Sequence, residues 1–136
     1  MKTAILVDGG FYTRRAQKVF GDISAKDRAT ELVNYCKRHL NSHGENNDLY
    51  RIFYYDCPPT SKRIYHPFLQ KQVEQIILIS GDSDFVSAAN LARREGIDFI
   101  LDPLGAPIKP DLFEHIDGLR TCDKAYTQNV TAIHKK

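Results

Sequence analysis

Short apolar runs alternate along the chain with longer amphipathic stretches, and the apolar runs stop at or just before an aspartate. "TAILVDGG" is continuous in its apolar part and ends in Asp8-Gly9-Gly10, the pattern of a strand covered on both faces and then a turn. "FYTRRAQKVFG" predicts a short helix with Gly21 as its stop. "SAKDRATELVNYCKRHL" predicts a longer helix. Ser24 and Asp27 make a capping-box-like start, and Ala29, Leu32, Val33, Cys36 and Leu40 recur at helical spacing. After the polar "NSHGENND", "LYRIFYYD" has the aromatic and β-branched make-up of a strand and ends at Asp56.

Pro58, Pro59 and Pro67 interrupt the next segment, so any helix in it is brief. "VEQIILIS" predicts a strand, followed by "GDSD" and a helix with Phe85, Ala88, Ala89 and Ala92 on one face and Gly96 at its end. "IDFILDPLG" predicts a strand ending in Asp102, and "KPDLFEHIDGL" a last short helix. Residues 1–121 read as one domain and residues 122–136 as a C-terminal tail without assigned structure.

Strands alternating with helices predict an α/β sandwich with a central, mostly parallel sheet flanked by helices. Ligands of such sheets bind outside the carboxyl ends of the strands. Asp8, Asp56, Asp82 and Asp102 each end a predicted strand, and Asp84 lies one turn beyond, so parallel strands bring several carboxylates to one edge. Clustered carboxylates suit Mg²⁺ or Mn²⁺, hard cations that prefer oxygen ligands. Such an ion can neutralise a phosphate and lower the pKa of an attacking water, and a nearby carboxylate can take the water's proton. Plainer roles stand beside this one. Asp82 or Asp84 can simply cap the following helix, and Asp56 and Asp102 can be turn residues before proline-containing loops.

Composition narrows the choices without deciding among them. The chain has 136 residues, 42% hydrophobic and 26% charged, as expected of one soluble domain. Its net charge of +2 supplies no strong field towards nucleic acid or acidic lipid, so any such contact needs a local patch. No apolar run is long enough to span a membrane, and no signal-peptide core forms before Asp8. Cys36, Cys57 and Cys122 are too few and scattered for a disulfide framework or a CxxC zinc site, which points to reduced thiols and a cytoplasmic location.

Arg14, Arg15 and Lys18 follow the first turn, and Lys62 and Arg63 follow the proline pair; both groups can line a path for a phosphate backbone or simply face solvent. Among Phe11, Tyr12, Tyr54, Tyr55 and Tyr65, Tyr12 is the first choice for stacking on an unpaired base. Strand alternation favours core positions for Phe53 and Tyr54. His39 and His43 stand four apart, but no third ligand follows, so a solvated helix end is expected. Arg93 and Arg94 suit a helix C-terminus and need no other role. No nucleophile elbow, Walker A loop or GxGxxG occurs.

"ILVDGGF", "YYDCPP" and "LISGDSDFVSAANLARREGIDFILDPLG" together resemble the NYN-domain proteins, the LabA-like branch of the PIN-like nuclease superfamily, over about Lys2 to Thr121. The resemblance implies a PIN-like, Rossmann-like sandwich and a Mg²⁺- or Mn²⁺-dependent site hydrolysing RNA phosphodiesters, with single-stranded RNA as substrate. It implies Asp8, Asp82 and Asp84 as catalytic metal ligands and Asp56 as a carboxylate beside them. Ser80 and Ser83 become turn residues near metal or phosphate, and Gly9, Gly10, Tyr12, Arg14 and Arg15 complete the expected RNA-contacting set. No membrane partner is expected, and a homodimer stays open.

One departure matters. Family members carry a longer segment, with a further acidic ligand, between the "YYD-PP" and "SGDSDF" strands. Here only residues 57–75 lie between, and Glu74 is their one acid. This keeps a second expectation in play, a non-catalytic RNA-binding or regulatory module with an incomplete acidic site.

Overall fold

Two strands are apolar almost throughout because helices cover both faces of the sheet at its centre. They are β1 (Lys2–Asp8) and β3 (Gln75–Ile79), and residues 3–7 and 75–79 are buried without exception. The structure, a computed structural model, describes residues 1–41, 47–56, 72–81 and 85–126. Its other strands are β2 (Asp48–Tyr55), β4 (Asp98–Asp102) and β5 (Gly118–Leu119). Its helices are α1 (Gly9–Phe20), α2 (Ala25–Asn41) and α3 (Val86–Arg94), with a 3₁₀ turn over Pro110–His115.

All four ladders are parallel, in the order β2-β1-β3-β4-β5. The chain therefore steps one way from β1 to β2 and the other way from β3 to β4. Crossovers of one hand then put their helices on opposite faces. The two cores follow this rule. On one face Ile5, Val7, Ile77, Ile79 and Ile100 pack against Tyr12 and Ala16 of α1 and Leu32, Tyr35 and Cys36 of α2. On the other, Ala4, Leu6, Ile76, Leu78, Phe99 and Leu101 pack against Phe85 and the α3 alanines Ala88, Ala89 and Ala92. The result is the expected α/β sandwich, Rossmann-like in its layers and all-parallel in its sheet. Each fully buried aliphatic side chain contributes about 1.5–3 kcal/mol. The central strands β1, β3 and β4 thus dominate stability, while edge strand β2 leaves Leu49 and Tyr54 in solvent.

Local signals hold where backbone chemistry is specific. Ser24 Oγ accepts from the Asp27 N–H at 3.1 Å, fixing the start of α2. Gly21 ends α1 with φ +86°, a conformation costly to residues with a Cβ, and its N–H donates to the Gln17 carbonyl.

Two expectations need correction. The buried stripe of α2 is Leu32, Tyr35, Cys36 and His39, whereas Ala29 and Val33 are exposed. The helix is rotated from the apolar pattern because Tyr35 and His39 find polar partners inside. The stretch after residue 121 also contributes to the core. Tyr126 is fully buried, with its ring edge-on to Phe20 at 5.1 Å and to Tyr35 at 5.9 Å.

Candidate functional site

In a doubly wound sheet the crevice for a ligand opens where the strand order reverses, here between β1 and β3. Asp8 is the last residue of β1, and Ser80 the first after β3. Their strands are in register, Val7 opposite Ile79. The Asp8 carboxylate is half-buried and held from two sides. Oδ1 accepts from the Phe11 N–H at 3.2 Å, so Asp8 is the N-cap of α1, and Oδ2 accepts from the Ser80 hydroxyl at 3.3 Å. Each oxygen keeps acceptor capacity beyond these single bonds.

The glycines of the two turns are packing positions. A Cβ at Gly9 would overlap the end of the Tyr54 ring, and one at Gly81 would overlap the Phe11 ring. Gly9, expected among the RNA-contacting residues, is instead buried beneath the end of the Tyr54 ring. Gly10 is partly exposed. The point where its Cβ would stand is 3.2 Å from Arg14 Nη1 and 3.8 Å from Asp8 Oδ1, which sets an exposed guanidinium beside the carboxylate.

Three further assignments change. Tyr12, the first choice for base stacking, is 2% exposed and donates its hydroxyl to Glu31 Oε1 at 2.6 Å. Burial and that carboxylate push its pKa far up. Arg15 is buried too, its Nε donating to the Leu104 carbonyl at 2.9 Å, and burial lowers its pKa. Neither side chain reaches a ligand, because helical periodicity turns positions 12, 15 and 16 of α1 towards the sheet. Tyr54, expected inside, is 53% exposed. Alternation along an edge strand tells which residues share a face but not how far the neighbouring layer reaches to cover them.

Asp102 ends β4 but does not join Asp8. It is 0% exposed and fully engaged: Oδ2 accepts from the Tyr35 hydroxyl at 2.5 Å and from His39 Nε2 at 2.6 Å, and Oδ1 from the Leu104 N–H at 2.9 Å. Since Tyr35 commits its proton to Asp102, its oxygen accepts from Thr121 Oγ1 at 2.9 Å and from the Cys122 N–H at 3.0 Å. The expected solvated position of His39 is thus reversed. The sequence signal was available in part: Tyr35 and His39 stand four apart on α2, one face of a helix.

Asp56 is exposed immediately after β2. Asp82, Ser83 and Asp84 lie outside the described residues, as do His43, Lys62, Arg63 and Tyr65. Among the described residues no three His, Cys, Asp or Glu side chains group as they would around a metal ion. Glu74, the acid of the short connection, accepts from the Lys2 N–H at 3.1 Å. That places it at the amino end of β1, roughly 20 Å from Asp8 by strand rise. Arg93 does more than suit a helix end: Nη1 donates to the Glu114 carbonyl at 2.8 Å and Nε pairs with Asp117 at 3.3 Å.

Fold and site together define an α/β sandwich with an oriented carboxylate at the switch point of an all-parallel sheet. No protein-family model matches the chain, and no curated protein is similar enough to count as a relative. No helix among the described residues is long and apolar enough to cross a membrane.

Proposed function

We propose that this protein is a metal-dependent ribonuclease-type domain of the NYN, PIN-like kind, acting on single-stranded RNA with Mg²⁺ or Mn²⁺. The observation that carries the reading is the Asp8 carboxylate, oriented by the Phe11 N–H and the Ser80 hydroxyl at the β1/β3 switch point. Asp82 and Asp84 follow within five residues of the end of β3, the strand next to β1, which favours their joining Asp8. The donor set fits a hard cation, since it is all carboxylate oxygen and one member is already oriented. When bound, the ion supplies positive charge against the phosphate and lowers the pKa of the attacking water. Asp8, Asp82 and Asp84 hold it, Asp56 lies beside the path of substrate, and Arg14 offsets phosphate charge next to Asp8.

The test is cleavage of a labelled single-stranded RNA by the full chain in Mn²⁺ and in chelator. Asp8→Asn keeps the cap on α1 and is expected to lower the rate at least about 100-fold while leaving the circular dichroism spectrum unchanged. Wild-type turnover that persists in Asp8→Asn overturns the reading.

The position of Glu74 favours one alternative, a module that binds RNA without cutting it. The connection's single acid caps the wrong end of β1 to serve the site. RNA binding by the wild type with no cleavage in either metal would select it.

A further inference from the structure

Two aromatic rings lie on glycines that follow β1 and β3: Tyr54 on Gly9 and Phe11 on Gly81. They differ in use. Phe11 is partly covered, and its own N–H is the donor that holds Asp8. Tyr54 is 53% exposed, and no hydrogen bond or ring contact engages it among the described residues. An exposed tyrosine on an edge strand is ordinary by itself. This one is placed by its floor, because Gly9 is the residue directly after Asp8 and is buried under the ring. Register pairs Val7 with Tyr54, so the ring rises on the face of the sheet that carries Val7, against the start of α1. A half-exposed aromatic ring thus stands at the carboxyl edge of the sheet, seated on the residue that follows Asp8. The ring carries no charge, and the partner its open surface suits is another flat ring.

We infer that Tyr54 is the base-stacking residue of this site, holding an unpaired nucleobase next to the phosphate that Asp8 serves. The inference rests on the reading of the protein as an RNA-processing or RNA-binding domain, and it assigns substrate positioning to a side chain outside the acidic set. Stacking on an aromatic ring tolerates any base, so Tyr54 selects single-stranded over paired RNA without selecting sequence. Gly9 is part of the device. A methyl group there would lift the ring from its seat, so Gly9→Ala should mimic loss of Tyr54 with the tyrosine still present.

The test measures binding of a fluorescein-labelled 12-nucleotide single-stranded RNA to the full chain by anisotropy in chelator, where cleavage is silent. Tyr54→Phe is expected to bind within about twofold of wild type, and Tyr54→Ser about 5- to 100-fold more weakly, the range for losing one stacked base. Gly9→Ala is expected to fall with Tyr54→Ser. A set of the same RNAs, each with one abasic nucleotide, should contain a position that weakens wild type but not Tyr54→Ser; the matching loss ties the ring to a base and not to folding. Wild-type binding that is unchanged in Tyr54→Ser overturns the inference and leaves the proposed function standing. If Tyr54→Ser is instead weakened equally at every abasic position, its role is structural and the inference falls. A wild type that neither binds nor cuts RNA overturns both.

Discussion

Asp8 and Asp102 hold the same place on two parallel strands, the last residue of β1 and of β4, and they do opposite things. Asp8 is half-buried, carries one hydrogen bond on each oxygen and faces the crevice where the strand order reverses. Asp102 is fully buried and ties α2, the loop after β4 and the segment at Thr121–Cys122 into one knot. Leu104 shows how tight the knot is. It sits at φ +50°, unusual for a leucine, with its N–H on Asp102 and its carbonyl on Arg15. A buried carboxylate is costly unless its acceptor sites are filled, and here tyrosine, histidine and backbone fill them. The lesson is that an aspartate at a strand end is a site only where the sheet leaves it partly open; elsewhere it is a fastening.

The sharpest way to break this contrast is Asp102→Ala. It leaves the Tyr35 hydroxyl, a His39 nitrogen and the Leu104 N–H buried without their acceptor. At about 1–3 kcal/mol for each stranded group, with some relaxation, a loss of about 3–5 kcal/mol in urea unfolding is expected. Tyr35→Phe deletes one hydroxyl that joins Asp102, Thr121 and Cys122, and should cost about 2 kcal/mol. Proteolysis should then release the segment after residue 120 first.

High pH should weaken the same region. Burial pushes the Cys36 thiol from its ordinary 9.0 up to about 12. The unfolded chain therefore gives up this proton first as pH rises. The stabilisation is complete below pH 9 and is lost progressively between pH 9 and 12, by up to about 1.4 kcal/mol per pH unit. Tyr35, whose pKa burial and Asp102 raise further, adds to the loss in the same direction. Urea midpoints that stay constant from pH 8.5 to 10.5 would contradict this. The smallest effect on stability is expected at the other aspartate. Asp8→Asn retains an N-cap and should change unfolding by less than about 1 kcal/mol. If Asp8→Asn proves the more destabilising of the two aspartate variants, the contrast is wrong.

Strands and helices were legible in the chain because their signals are local. Continuous apolar runs marked β1 and β3, Ser24 marked a cap, and Phe85, Ala88, Ala89 and Ala92 marked the face of α3 that is buried. The two-residue strand β5 was missed because nothing local defines it; it exists by pairing with Ile100 and Leu101. Within the candidate site, Asp8 was legible by its position after an apolar run, whereas Ser80 entered only through the family resemblance. Tyr12, Arg15, Tyr54, His39 and Asp102 were not, since each depends on which neighbouring layer covers it. Hydrophobic period and turn chemistry act within a few residues, so residue order alone settled the α/β alternation and the placing of aspartates at strand ends. Which carboxylate is sealed by Tyr35 and His39 and which stays half-open next to Ser80 was decided only by packing, because burial is a property of partners brought together from distant parts of the chain.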